Sequence, residues 1–417
     1  MRILYIATDN PAVDAIIDGM HTETLVGLPA FYYPFRMLLN RGHTIDILLY
    51  SFEERTVVES EHFKAENLIQ IHPKNGVLPG AVEYALQISF AARKLMGERQ
   101  YDFVYGMSEG AHLAVREAAK RGIPCGLRQF GTWNLVKRLE SVSGTARRWK
   151  LALSSNTYIA LSAKGKKDFL LVTDDGSESE KIPELLGIRE LPYRAFYWRT
   201  GVKVPKPQPS VDNRGEAFPE RYDNMVLSHI GRLCELKRGD RSLSILNLLH
   251  QKGYPFHLYF VGDIREKTFQ EKLVRQAQEA DLESFIHFTG AVTQEEIRAY
   301  ARNSFATLLT SDLNMGNVFY EIMSEGSLLL TNDNHSLDEF IVDGQNCVTY
   351  EPGNAKQAAE KIIELTQDPE RVKAMRAAAY QTACDRFLSI EKRFQTEVDL
   401  IEDTAAGRDI SKYPNKM

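Results

Sequence analysis

Two stretches in the second half of the chain place polar and charged side chains where a phosphorylated ligand could be held. The first is Gly231-Arg232-Leu233-Cys234-Glu235-Leu236-Lys237-Arg238-Gly239-Asp240. A strand-like run, Met225 to Ile230, precedes it and a helical run from about Asp240 to Gln251 follows, so Arg232 and Lys237 emerge at the carboxyl end of a strand. Two cations there neutralise a diphosphate, both as ligand and as leaving group. A solvated basic loop is the competing reading. The second stretch runs from Ser311 and Asp312 through Asn314, Gly316, Asn317 and Val318 to Glu321. A strand ends near Thr310 and a helix opens at Asn317, presenting unpaired backbone N–H groups and a positive dipole end to an anion. Glu321 lies one turn into that helix among apolar neighbours, where a carboxylate suits a ribose diol. The competing reading is a glutamate that complements the helix dipole.

The elements around these stretches alternate strand and helix. Ile3 to Ala7 is a continuous apolar run, as a strand covered on both faces requires, followed by a helix over about Pro29 to Asn40 and the strand Thr44 to Leu49. Phe103 to Tyr105, the turn Ser108-Glu109-Gly110, a helix from Ala111 to Arg121 and the strand Pro124 to Leu127 repeat the unit. Thr157 to Leu161 reads as a further strand leading to a helix near Ser162. In the second half Phe256 to Val261, Ile286 to Phe288, Ala306 to Leu309 and Leu328 to Thr331 read as strands. Thr293 with Glu296 forms a capping box for a helix from Gln294 to Asn303, and Asp368-Pro369 opens another to about Arg386. Residues 203–222, rich in Pro, Asn and charge, make the expected linker. The expectation is an α/β protein of two Rossmann-like, doubly wound domains, 1–204 and 205–389, with a ligand where the carboxyl ends of the strands meet.

Bulk composition agrees. The chain has 417 residues, 43% hydrophobic and 26% charged, enough for two or three domains with cores of their own. Its net charge of −5 argues against a general nucleic-acid binder. Residues 1–203 hold 26 basic against 23 acidic side chains and the remainder 25 against 33, so the halves carry +3 and −8. Cys125, Cys234, Cys347 and Cys384 lack metal or redox spacing and fit a reduced cytosol. No apolar run reaches the ~18 residues of a spanning helix, and the N-terminal run is too short for a signal peptide. No H-E-x-x-H, G-x-S-x-G or Ser-His-Asp order points to a hydrolase, and no G-x-G-x-x-G to a nicotinamide or flavin enzyme. The segment Val136 to Leu153 carries Lys137, Arg138, Arg147, Arg148 and Lys150 against Glu140, with Trp149 and leucines interleaved. It fits either a solvated helix face or a surface resting on an anionic membrane.

The two chemical stretches together resemble a GT-B glycosyltransferase of the large family four. Its GR(L)…K signature matches Gly231-Arg232-Leu233 with Lys237, and the second half of its Glu, seven residues, Glu motif matches Gly316 to Glu321, followed by Gly326-Ser327-Leu328-Leu329-Leu330-Thr331. Phe288-Thr289-Gly290-Ala291-Val292, Arg41-Gly42-His43 and Asn332 through Gly344 resemble further family stretches. The match is good over residues 225–400 and mainly topological before residue 200. The resemblance implies that Arg232 and Lys237 hold the donor diphosphate, that Glu321 binds the ribose, and that Gly231, Gly290, Gly316, Asn317 and Val318 line the donor. It implies a retaining, metal-independent enzyme with no cofactor, moving a sugar from a UDP-sugar, or a GDP-sugar, to a glycan or lipid-linked acceptor. It also implies that the final helix, about 390–417, crosses back to the first domain. The family's first glutamate falls on Leu313, with Asp312 or Asn314 as substitutes, and its first-loop Gly-Gly is represented by Gly27 alone. Glu109, His21 and His112 fall on the acceptor side. The Leu313 departure leaves open a catalytically silent binding subunit, and the architecture leaves open a nucleotide-sugar epimerase. The expected location is cytoplasmic, with peripheral contact at the inner membrane face.

Overall fold

A computed structural model describes residues 1–8, 29–52, 54–57, 63–73, 80–132, 134–203, 225–312, 316–333 and 339–417. The chain forms two compact units, residues 1–200 with 390–417, and residues 201–389.

In the first unit the strands are β1 (Arg2–Thr8), β2 (Thr44–Tyr50), β3 (Leu68–Ile71), β4 (Phe103–Gly106), β5 (Cys125–Gln129), β6 (Phe169–Thr173) and β7 (Arg194–Trp198). They make one parallel sheet in the order β3-β2-β1-β4-β5-β6-β7. The helices are α1 (Pro29–Asn40), α2 (Gly80–Glu98), α3 (His112–Lys120), α4 (Leu135–Glu140), α5 (Thr145–Ser155), α6 (Thr157–Ser162) and α7 (Ile182–Leu185). The apolar run of β1 is continuous because both faces are covered. Ile3, Tyr5 and Ala7 join the core that includes Phe35 and Leu38 of α1, whereas Leu4 and Ile6 join Ile88 and Ala92 of α2 and Val115 of α3.

The second unit holds β8 (Val226–Ile230), β9 (His257–Val261), β10 (Ile286–Gly290), β11 (Ala306–Leu309), β12 (Leu329–Asn332) and β13 (Val348–Tyr350), parallel in the order β10-β9-β8-β11-β12-β13. Its helices are α8 (Gly239–Gln251), α9 (Lys267–Glu279), α10 (Gln294–Asn303), α11 (Asn317–Ser324), α12 (Ala355–Thr366) and α13 (Pro369–Arg386). The Thr293/Glu296 capping box forms: Glu296 N–H donates to Thr293 Oγ1 and Thr293 N–H to Glu296 Oε2. Asp368 likewise accepts from the amide of Arg371, with Pro369 at the first helical position.

The last helix, α14 (Ile390–Ala405), belongs to the first unit. Val398, Leu400 and Ile401 enter the core of β1, and the buried Glu397 is its electrostatic anchor. Tyr105 Oη donates to Glu397 Oε1 at 2.6 Å, Arg393 Nη1 to Oε2 at 2.9 Å, and Arg128 also pairs with Oε2. Two guanidinium groups thus surround one carboxylate in a site closed to water, and their charges hold that carboxyl below its ordinary range against the opposing effect of burial.

One expected element is corrected. Thr157 to Leu161 is helix α6, not a strand. Its β-branched and aromatic residues favour either state over so short a run, and the Asn156 side chain decides for helix by accepting the Ile159 amide at 3.1 Å. The strand of this region is Phe169–Thr173.

Candidate functional site

In an open parallel sheet a ligand sits where successive crossovers leave in opposite directions. In the second unit that point lies beyond the carboxyl ends of β8 and β11, neighbours that lead to β9 and β12 respectively. Gly231 leaves β8, and Thr310 to Asp312 leave β11.

The β8 exit is shaped by a glycine crossing. Gly262, at the end of β9, has φ +138°, and a Cβ there would stand 2.4 Å from the carbonyl oxygen of Gly231. Only glycine lets the two backbones approach so closely. Past Gly231 the buried Leu233 is pinned by its N–H to the Asp263 carbonyl at 2.8 Å, which leaves Arg232 exposed, with no hydrogen bond or ion pair among the described residues. A single 3-10 turn, Glu235–Lys237, follows and ends at Arg238 in the left-handed conformation, φ +54°. Lys237 then folds back across Gly231, its Cδ and Cε 4.0 Å from a Cβ position there, and its Nζ 3.9 Å from a Cβ position on Gly316. Gly316 is the residue before α11. An ammonium is therefore held at a helix N-terminus, and both favour a bound anion. Gly290, at the end of β10, bridges Gly262 and opens onto free space, with nothing within 4 Å of a Cβ position.

Glu321 lies one turn into α11 and is 7% exposed, and its carboxylate makes no hydrogen bond to the described residues. Burial, opposed by the charge of Arg298 and aided by Glu325, raises its carboxyl to about 7. Glu325 is itself paired with Arg302 at 2.8 Å and with Arg298 at 3.9 Å. Asp312 is 64% exposed, and Arg241 holds its carboxylate at 2.7 Å. Leu313, Asn314, His21 and Gly27 lie outside the described residues, and for Asn317 only the backbone, opening α11, is described. Val318 follows it, half-buried against the core of Phe319 and Tyr320.

Sequence reasoning passed over Arg298, Arg302, Arg241, Thr310 and His229. The first two were within reach: the Thr293 cap fixes the start of α10, which puts residues 298 and 302 on one face. The others depend on which strands are neighbours.

In the first unit Glu109 opens a 3-10 turn, Glu109–Ala111, just past β4. His112 is buried, its ring 5.7 Å from that of Tyr158. The basic segment divides. Arg148 donates Nε to the carbonyls of Leu139 and Val142, at 3.1 and 2.8 Å, and Trp149 Nε1 to that of Leu186 at 2.9 Å, so both hold helices together. Lys137, Arg138, Arg147 and Lys150 remain exposed.

Residues 214–382 match the family model for glycosyl transferases group 1. The match lies within the second unit and marks the chain as a glycosyltransferase. Solved structures with the same fold cover nearly the whole glycosyltransferase. Sucrose-phosphate synthase from Thermosynechococcus elongatus superposes with a TM-score of 0.71 at 15% identity, over 97% of this chain and 99% of that one. WaaG, a glycosyltransferase involved in lipopolysaccharide biosynthesis, gives 0.67 at 13%, over 96% and 99%. HepE from Anabaena, solved in complex with UDP, gives 0.65 at 16%, over 97% and 100%. The fold is GT-B. No curated protein sequence gave a match to the glycosyltransferase.

Proposed function

We propose that this glycosyltransferase transfers a sugar from a UDP-sugar to a glycan or lipid-linked acceptor, with retention and without a metal ion. The observation that carries the reading is the Lys237 ammonium at the N-terminus of α11. Together with Arg232 it supplies the positive charge that a nucleoside diphosphate requires. Glu321, whose buried carboxylate makes no hydrogen bond to the described residues, is the acceptor for the two ribose hydroxyls. In the transfer the bond from the anomeric carbon to the diphosphate oxygen breaks and a bond to the acceptor hydroxyl oxygen forms. The hydroxyl proton passes to the departing diphosphate, whose charge Arg232 and Lys237 stabilise. Complexes of HepE with UDP and with UDP-glucose support uridine as the base.

The experiment is product analysis with a panel of UDP- and GDP-sugars in the presence of chelator, with and without candidate acceptors. Transfer, or slow donor hydrolysis to sugar and UDP, supports the reading. An isomerised UDP-sugar without acceptor identifies an epimerase instead, and nucleotide binding without turnover identifies a silent subunit.

The same reading places the enzyme in the cytoplasm, with the first unit on an anionic membrane. Lys137, Arg138, Arg147 and Lys150 are exposed on α4 and α5, together with Leu153 at 39%, and each cation near such a surface contributes ~1 kcal/mol. Among the described residues no helix is long and apolar enough to cross a membrane. Co-sedimentation with phosphatidylglycerol vesicles, but not with phosphatidylcholine vesicles, is the expected result.

A further inference from the structure

We propose that His229 is a positioning residue for the phosphate-binding turn, acting through Ser242 and Thr310; the proposal rests on the nucleoside-diphosphate reading above. His229 lies on β8 two residues before Gly231 and is 2% exposed, its ring 5.6 Å from that of Phe260. Its Nδ1 is 2.9 Å from Ser242 Oγ, Ser242 Oγ is 3.3 Å from Thr310 Oγ1, and Thr310 Oγ1 donates to the carbonyl oxygen of Arg238 at 2.8 Å.

The order of protons along this chain follows from which groups can donate. A carbonyl only accepts, so the Thr310 hydroxyl hydrogen is committed to Arg238. Thr310 Oγ1 then accepts the hydrogen of Ser242, and Ser242 Oγ must accept one from the ring. His229 is therefore protonated at Nδ1, and Nε2 is a buried lone pair with no hydrogen-bond partner among the described residues. Burial first, and the nearby charge of Lys237 second, hold the ring down to about 4. It stays neutral near pH 7, and the donor order is undisturbed.

The far end of the chain is where position matters. Arg238 is a non-glycine residue in the left-handed region, a conformation that persists only when its surroundings determine it. The carbonyl captured by Thr310 belongs to that residue, and the turn it closes carries Lys237. Thr310 also accepts from Arg241 Nη1 through its own carbonyl at 2.9 Å, and Arg241 holds Asp312. One threonine thus ties the turn after β8 to the loop after β11. These are the segments that present the ammonium and the helix N-terminus to the same anion.

The test is calorimetric titration of the full chain with UDP and with uridine, which lacks the diphosphate, for wild type, His229→Phe, His229→Asn and Thr310→Val. His229→Phe and Thr310→Val are expected to weaken UDP about tenfold, the net worth of about one hydrogen bond, and uridine by less than about twofold. His229→Asn, whose amide N–H stands near the place of Nδ1–H, is expected to recover most of the loss. Should His229→Phe fail to fold, the nearly isosteric Thr310→Val decides. Unchanged UDP affinity in Thr310→Val, or equal losses for UDP and uridine, would overturn the proposal. Wild type that binds neither UDP nor GDP would instead sink the nucleoside-diphosphate reading itself.

Discussion

The ammonium of Lys237 stands 3.9 Å from the point that a Cβ on Gly316 would occupy. A cation is thereby fixed at the helix end that already carries partial positive charge. The two positive ends suit an anion lying between them, and the absence of a side chain at residue 316 leaves room for it.

Gly262→Ala tests the glycine crossing that shapes the β8 exit. The new Cβ would lie 2.4 Å from the Gly231 carbonyl oxygen at a φ of +138°, so the backbone must move. A stability loss of about 1–3 kcal/mol is expected, together with weaker UDP binding because Gly231 carries the turn. Thermal unfolding and UDP titration on the same sample check it. A variant with wild-type values for both contradicts the assignment.

Glu321 predicts a pH dependence of binding. Its carboxyl titrates at about 7, above its ordinary range because it is buried. Between the ordinary value and 7 the folded chain holds a proton that the unfolded chain releases, so this group's contribution to stability falls as pH rises through that window. Acceptance of the ribose hydroxyls shows the opposite trend, because only the ionised form is a full acceptor. UDP affinity is expected to rise between about pH 6 and pH 8 in wild type more than in Glu321→Gln, the ionisation of the diphosphate being common to both. Parallel profiles would remove Glu321 from the ribose site.

His229 predicts a slope of the opposite kind. Its ring is held down to about 4 by burial, so the unfolded chain binds the extra proton first and the stability contribution is lost as pH falls from about 6.5 to 4. Wild type is expected to lose up to about 3 kcal/mol more than His229→Phe over that interval in urea unfolding. Equal losses would mean that the ring protonates freely in the fold.

Glu397→Gln separates the buried anchor of α14 from its surface one. Arg128 and Arg393 would be left as two buried cations without a counter-charge, at a cost of about 3–5 kcal/mol. Arg41→Ala removes pairs to Asp399 and Glu402, at 2.7 and 2.6 Å, that water already reaches, and should cost about 1 kcal/mol or less. Urea midpoints rank the two, and a reversed order contradicts the role given to the buried carboxylate.

Strands flanked by helices were legible because a strand covered on both faces must be continuously apolar, as Ile3 to Ala7 and Leu258 to Val261 are. Caps were legible wherever a side chain reaches an amide close by in sequence, as at Thr293 and Asp368. Thr157 to Leu161 was misread because five residues do not distinguish the two periods, and the deciding group, Asn156, acts through a single hydrogen bond. Arg232, Lys237 and Glu321 announce themselves by type and spacing. The chain from His229 to Thr310 does not: its members lie on β8, α8 and the end of β11, and only the strand order brings them together.

The central claim is that Lys237 and the N-terminus of α11 share one diphosphate, and calorimetric titration of UDP into wild type and Lys237→Ala, with chelator present, tests it most directly. Loss of one charge-assisted contact predicts about 10- to 100-fold weaker UDP binding, with uridine affinity unchanged. Equal UDP affinity in the two proteins would contradict the account.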